Sequence, residues 1–166
     1  HTQEYYDAVI GWYERNYSLK VKKEWLSNVP STIGAVRIAL EIFAKPGDNI
    51  IVQTPVFSPL KWAVEGADQN LIDNPLKPVD GHYEIDFDDF EEKIKKYHPS
   101  LYLMVNPHNP TGRVFTQAEL ERLVNICYEN NVKIISDEVH CLVLYGTNKH
   151  IPILAVNEKA QKISVQ

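Results

Sequence analysis

Two short stretches of this chain carry side chains whose types and spacing could do chemistry. The first is Asn106-Pro107-His108-Asn109-Pro110-Thr111-Gly112, and the second is Ser136-Asp137-Glu138-Val139-His140. Proline fixes its own φ and restricts the residue before it, so two Asn-Pro pairs in a row confine the first stretch to a few turn conformations. Such a turn can hold one amide side chain rigidly over a cleft. In the second stretch a carboxylate pair and a histidine follow an apolar run. Taken alone, that run admits several chemistries. It has the look of a DExH-type ATPase box, whose carboxylates hold Mg²⁺ beside a nucleotide. It could also feed a metal centre with His140, His150 and the acidic pair. A strand end with ordinary capping carboxylates is the plainest reading.

The elements that must position these residues come next. Leu101-Tyr102-Leu103-Met104-Val105 and Val132-Lys133-Ile134-Ile135-Ser136 have the composition of short buried strands, and each ends where one of the two stretches begins. Asn49-Ile50-Ile51-Val52-Gln53 is a third such strand. Between them lie helical patterns: Thr2 to about Asn16, Ser31 or Thr32 to Ala44, Pro59 to Gly66, and Phe87 to Tyr97 with its acids early and lysines late. Thr116-x-x-Glu119 is a capping box that opens another helix. Asn70-Leu71-Ile72 reads as extended, and the turn-rich stretch from Asp73 to Gly81 as solvent-exposed. Short strands alternating with longer helices predict βαβ units and a mostly parallel sheet. In such sheets ligands bind beyond the carboxyl ends of the strands, where both stretches fall.

Composition narrows the function classes. With 166 residues, 44% of them hydrophobic and 23% charged, the chain is long enough for one well-packed globular domain. No apolar run has the length of a membrane span and no secretory leader opens the sequence, so a cytoplasmic location without a membrane partner is expected. The sequon Asn16-Tyr17-Ser18 therefore carries little weight. A net charge of −5 without a basic cluster argues against nucleic acid as a partner. No Gly-x-x-x-x-Gly-Lys-Ser/Thr loop precedes the acidic stretch, which removes the ATPase reading. Cys127 and Cys141 have no disulfide or zinc spacing. No metal site is expected.

The run Asn-Pro-x-Asn-Pro-Thr-Gly, followed by a strand ending Ser-Asp-Glu-Val-His, resembles the fold-type I pyridoxal-phosphate enzymes, within the class I/II aminotransferase superfamily. The likeness is greatest to the cystathionine β-lyase branch, the C–S lyases of MalY/PatB type. Trp25-Leu26, Gly47-Asp48, Thr54-Pro55-Val56-Phe57, Asn74-Pro75-Leu76, Pro107 to Val114, Ser136 to Cys141 and His150-Ile151-Pro152 follow that branch in order. The resemblance implies an α/β fold: part of a PLP-transferase large domain, three layers α/β/α around a mostly parallel sheet. It implies pyridoxal 5′-phosphate as cofactor, an amino acid as substrate, and a homodimer in the full-length protein. The reaction it implies is α,β-elimination on cystathionine or cysteine-type amino acids, giving thiol, pyruvate and ammonia. Class I/II transamination is the alternative, and a noncatalytic regulatory or partner-binding relative is a third reading.

The same resemblance implies roles for named residues. Asp137 would face the pyridine nitrogen, Asn109 the phenolic oxygen, and His140 would stand where relatives carry a tyrosine for that oxygen. Ser31, Thr32 and Ile33 would cradle the phosphate at a helix N-terminus, a role compatible with plain N-capping by Ser31. Phe57 would stack on the ring where relatives commonly carry Tyr; a core position is its plainer reading. Leu142 departs from the acidic residue common there, and nothing in the sequence explains it. Because the chain opens within a helical pattern and closes on Ile163-Ser164-Val165-Gln166, which reads as an unfinished strand, residues 1–166 are expected to be a fragment. The N-terminal segment, the Schiff-base lysine segment and the C-terminal small domain would lie outside it. Lys159 and Lys162 stand in the wrong context for that lysine, so no catalytic residue is assigned within the fragment, which is expected to be inactive alone.

Overall fold

The computed structural model describes residues 2–166. Five parallel strands form the central sheet, in the order β2-β1-β5-β6-β7: β1 is Asn49–Thr54, β2 Asn70–Pro75, β5 Leu101–Val105, β6 Lys133–Asp137 and β7 Ser164–Val165. A small antiparallel hairpin, β3 (Lys77–Val79) and β4 (His82–Glu84), stands apart from it. The inner strands are nearly continuous Ile, Val and Leu because both of their faces are covered, the pattern of a parallel sheet between helical layers. Helices α2 (Thr32–Phe43) and α3 (Ser58–Glu65) bury Val36, Leu40, Leu60 and Val64 on one face against Ile50, Leu103 and Ile135. On the other face lie α4 (Phe87–Tyr97), α5 (Gln117–Glu129), α6 (Ile153–Val156) and α7 (Glu158–Ile163), packed on Ile51, Tyr102, Met104 and Ile134. This is the expected α/β/α sandwich. Helix α1 (Gln3–Tyr17) carries its apolar residues as expected but fully buries none of them.

The helix starts follow local chemistry. Ser31 caps α2 by accepting from the Gly34 N–H at 3.0 Å, Asp86 caps α4, and Thr116 with Glu119 makes the predicted reciprocal box at α5. Two sequence expectations are corrected. The stretch Asp73–Gly81 is not wholly an exposed turn: β2 runs on to Pro75, and Asn74 and Leu76 are buried. Asn74 pairs in register with Gln53 of β1 and accepts from its side chain at 3.0 Å, a non-local bond that turn propensity does not reveal. Ile163 ends a helix rather than starting a strand, because Asn157 caps α7 and β7 begins only at Ser164. Among the described residues no helix is long and apolar enough to cross a membrane.

Candidate active site

Strands β5 and β6 are neighbours, and Val105 pairs with Asp137 at their carboxyl ends. The chain therefore leaves the sheet twice at one place, once into the Asn-Pro loop and once into the acidic stretch. The two exits are tied together, since the Asn106 N–H donates to the Asp137 carbonyl at 3.0 Å. Both Asn-Pro peptides of the loop are cis. Asn106 itself is buried and accepts from the Phe115 N–H at 2.9 Å. His108 pairs through Nδ1 with the Thr111 hydroxyl at 2.9 Å and donates its own N–H to the Arg113 carbonyl at 2.7 Å. Gly112, at φ 71°, turns the loop back so that its N–H reaches the His108 carbonyl at 2.7 Å; the left-handed conformation favours glycine there. These bonds leave Asn109 at the tip of a fastened loop, half-buried.

Asp137 is 7% exposed. Its Oδ1 accepts from the Val139 N–H at 3.1 Å, and no Lys or Arg pairs with it among the described residues. Burial pushes its carboxyl above the usual range, against smaller opposing pulls from the Val139 N–H and from His140. Burial likewise drives the His108 imidazole down to about 4, so that ring is neutral at physiological pH.

A cavity of about 380 Å³ opens at this strand end. Thr32 and Ile33 from the first turn of α2, Phe57 from the β1–α3 connection, Asn109, Asp137 and His140 all line it, with Val105 and Val139 between them. The structure thus brings six of the seven residues singled out from the sequence to one space. The seventh, Ser31, lines an adjoining cavity of about 500 Å³ that shares Thr32, Asp137 and Val139 with the first. The first-turn amides of α2 have no partner within the helix, and its dipole adds positive character at the same point. Phe57 is 42% exposed, so it is not a core residue. The arrangement offers an anionic carboxylate, a neutral amide, an aromatic face and a helix N-terminus to one ligand.

Glu138 escaped sequence reasoning as a site residue. Its buried carboxylate accepts from the Ser136 hydroxyl at 2.8 Å, the His150 Nε2–H at 2.7 Å and the Ile153 N–H at 2.8 Å. The possible metal grouping of His140, His150 and the acidic pair does not assemble: His140 lines the cavity with Asp137, whereas His150 is buried against Glu138 away from that lining. Among the described residues no three His, Cys, Asp or Glu side chains come together as a metal site.

Comparison with known proteins decides the family. The model for "Aminotransferase class I and II" matches residues 1–166. The chain belongs to that family. It is 38% identical over 160 residues to cystathionine β-lyase PatB of Bacillus subtilis (strain 168), covering 96% of this chain and 41% of PatB. Its structure superposes on cystalysin from Treponema denticola, a crystal structure containing pyridoxal 5′-phosphate, with TM-score 0.94 at 29% identity, over 98% of this chain and 41% of that one. It also superposes on the PLP-bound C–S lyase from Staphylococcus hominis, with TM-score 0.89 at 33% identity, over 98% and 40% of the two chains. The family member described here spans about two fifths of the length of these relatives.

Proposed function

We propose that the protein carrying this chain is a pyridoxal 5′-phosphate-dependent C–S β-lyase, releasing thiol, pyruvate and ammonia from cystathionine- or cysteine-type amino acids. The observation that carries the reading is the convergence of Asp137, Asn109, Phe57 and the start of α2 on one cavity. Its volume falls in the range of small-molecule sites, roughly 300–1,000 Å³. The lyase chemistry is supported by the relatives named above, and the choice of cofactor by the fit of these residues to a flat, phosphorylated, basic ring.

That fit can be argued group by group. Asp137 is a buried carboxylate without a Lys or Arg partner among the described residues, and a protonated pyridine nitrogen would supply a matching positive charge. Its approach would offset the cost that burial puts on the ionised carboxyl. Asn109 would donate its amide N–H to the phenolic oxygen, with His140 beside it. Phe57 would cover one ring face; lacking a hydroxyl, it can stack and nothing more. The N–H groups of Thr32 and Ile33 would hold the phosphate, and the Ser31 hydroxyl, already accepting from Gly34, retains a proton to donate. When bound, the cofactor supplies an electron sink for the charge left at Cα as its proton departs. Asp137 serves that chemistry by holding the proton on the ring nitrogen. No lysine lines the cavity among the described residues. The anchoring lysine, the small domain and the remainder of the large domain are accordingly assigned to segments outside residues 1–166, and the working protein to a cytoplasmic homodimer.

The test uses the intact protein with cystathionine as substrate, assayed for pyruvate. Asp137→Ala is expected to lower turnover by about 10²-fold or more, the scale for removing one preorganised electrostatic partner. Near-normal turnover in that variant would overturn the site assignment. Formation of a keto acid from the substrate, dependent on an added amino-group acceptor and faster than pyruvate release, would instead identify transamination, the chemistry for which the family is named.

A further inference from the structure

We propose that Glu138 is a positioning residue: by clamping the end of β6 to the segment at His150–Ile153, it holds the Asp137 carboxylate in the cavity. The inference rests on the reading of Asp137 as the ring-nitrogen partner. Successive residues of a strand face opposite ways. Ile135 belongs to the core under α2, and Asp137, two residues on, faces the same layer. Ile134 belongs to the core under α6, and the Ile153 main chain that meets the Glu138 carboxylate comes from that layer. The cavity carboxylate and the clamp thus stand on consecutive residues at one strand end.

The clamp is unusually complete for a single side chain. Three donors from three places meet the Glu138 carboxylate: the Ser136 hydroxyl, the His150 ring and the Ile153 main chain, all within 2.7–2.8 Å. Both His150 and Glu138 are buried, and Tyr17 of α1 packs edge-on against the His150 ring with centroids 6.1 Å apart. What the clamp fixes is the peptide after Glu138, and that peptide carries the Val139 N–H that orients Asp137 Oδ1. The part assigned to Glu138 is played through this backbone geometry. A carboxamide can satisfy the same partners: its oxygen accepts from Ser136 and Ile153, and its NH₂ donates to the other tautomer of His150.

The experiment measures noncovalent binding, which requires no turnover. Pyridoxamine 5′-phosphate has no aldehyde to react with a lysine; its analogue with C–H in place of the ring nitrogen lacks only the group that Asp137 would meet. The affinities of the intact apoprotein for both are compared. Wild type is expected to prefer the nitrogen-containing ligand by about tenfold or more, the scale of a charge-assisted hydrogen bond. Asp137→Asn should erase the preference. Glu138→Ala should reduce it to less than threefold, while Glu138→Gln restores it. A merely structural Glu138 would weaken both ligands equally and leave the ratio intact, and that result overturns the proposal. If Glu138→Ala does not fold, His150→Ala, which removes one of the three bonds, carries the same test: a lowered ratio supports the clamp and an unchanged one refutes it. Equal binding of the two ligands by wild type would overturn the reading of Asp137 itself, and the clamp with it. A preference that only Asp137→Asn abolishes would leave that reading standing and sink the clamp alone.

Discussion

Two polar clusters sit at the carboxyl ends of the same sheet and behave in opposite ways. Between β1, β2 and β5, the Tyr102 hydroxyl donates to Gln53, Gln53 donates to Asn74, and Asn74 donates to the Asp86 carbonyl and to Asp89 at 3.1 and 2.8 Å. Each group there completes another. Between β5, β6 and α2 the polar groups line a cavity instead: among the described residues Asp137 has no Lys or Arg partner, and the Thr32 and Ile33 amides at the start of α2 have no partner within the helix. A buried polar group is costly unless it is matched. A cluster that matches itself stabilises the fold, whereas one left unmatched around a cavity is completed by a ligand. Residue type alone does not separate the two, since both contain amides and carboxylates at strand ends. Closure of the network does.

The sharpest break in the comparison is acid. Burial pushes the Tyr102 hydroxyl well above its usual range, so the first donor of the closed cluster keeps its proton as pH falls. The loop around Asn109 holds a group that titrates. His108 is held down to about 4 mainly by desolvation, below the ordinary value of 6.5. A depressed folded-state pKa means stability that is present above the unfolded value and is lost as pH falls toward the folded one. Thermal or urea unfolding is therefore expected to show a loss accumulating between pH 6.5 and about 4, approaching roughly 3 kcal/mol at the limit. His108→Gln should flatten that slope. A His108→Gln variant with the wild-type pH profile would remove the loop from the acid response.

The second break acts on the closed cluster. Asn74→Ala strands the buried Gln53 amide, whose NH₂ donates to Asn74, in the interior, where an unmatched group is expensive. A loss of about 1–3 kcal/mol in unfolding free energy is expected. Because this network stops short of the cavity, affinity for pyridoxamine 5′-phosphate should be unchanged. A tenfold or greater drop in that affinity, with the fold retained, would show that the two clusters are one.

How much of this could be read from sequence divides along the same line. The strands Leu101–Val105 and Lys133–Asp137 declare themselves by apolar runs, and the capping box at Thr116 by local spacing. Asp137 and Asn109 were found because each follows a strand end and because the surrounding motifs resemble a known family. The burial of Asn74 was hidden: Asp73-Asn74-Pro75 has turn composition, and only its partner Gln53, on a neighbouring strand, makes the site tolerable. The Glu138–His150 bond was hidden for the same reason, since its partners stand twelve positions apart across irregular chain that carries no periodicity to predict it. The four- and six-residue helices α6 and α7 are too short to generate a helical pattern. Local signals locate elements and their ends; the matching of polar groups across elements belongs to the fold.

The smallest predicted effect has the opposite sign to that of Asn74→Ala, which makes it the finest test of the comparison. Burial raises the folded-state pKa of Asp137 above its unfolded value. The stability tied to such a group is fully present below the unfolded pKa and is lost as pH rises through the folded one. At neutral pH the ligand-free protein therefore carries a buried carboxylate at a net cost. Asp137→Asn removes the charge and keeps an oxygen that can accept from the Val139 N–H, as Asp137 does at 3.1 Å. The ligand-free variant is expected to melt slightly higher than wild type at pH 7, with the gap closing as the pH is lowered. Adding pyridoxamine 5′-phosphate should reverse the order, because a ligand stabilises the folded state more the tighter it binds. A variant that melts lower than wild type without ligand would mean that Asp137 is already matched within the fold, and the two clusters would then differ in degree rather than in kind.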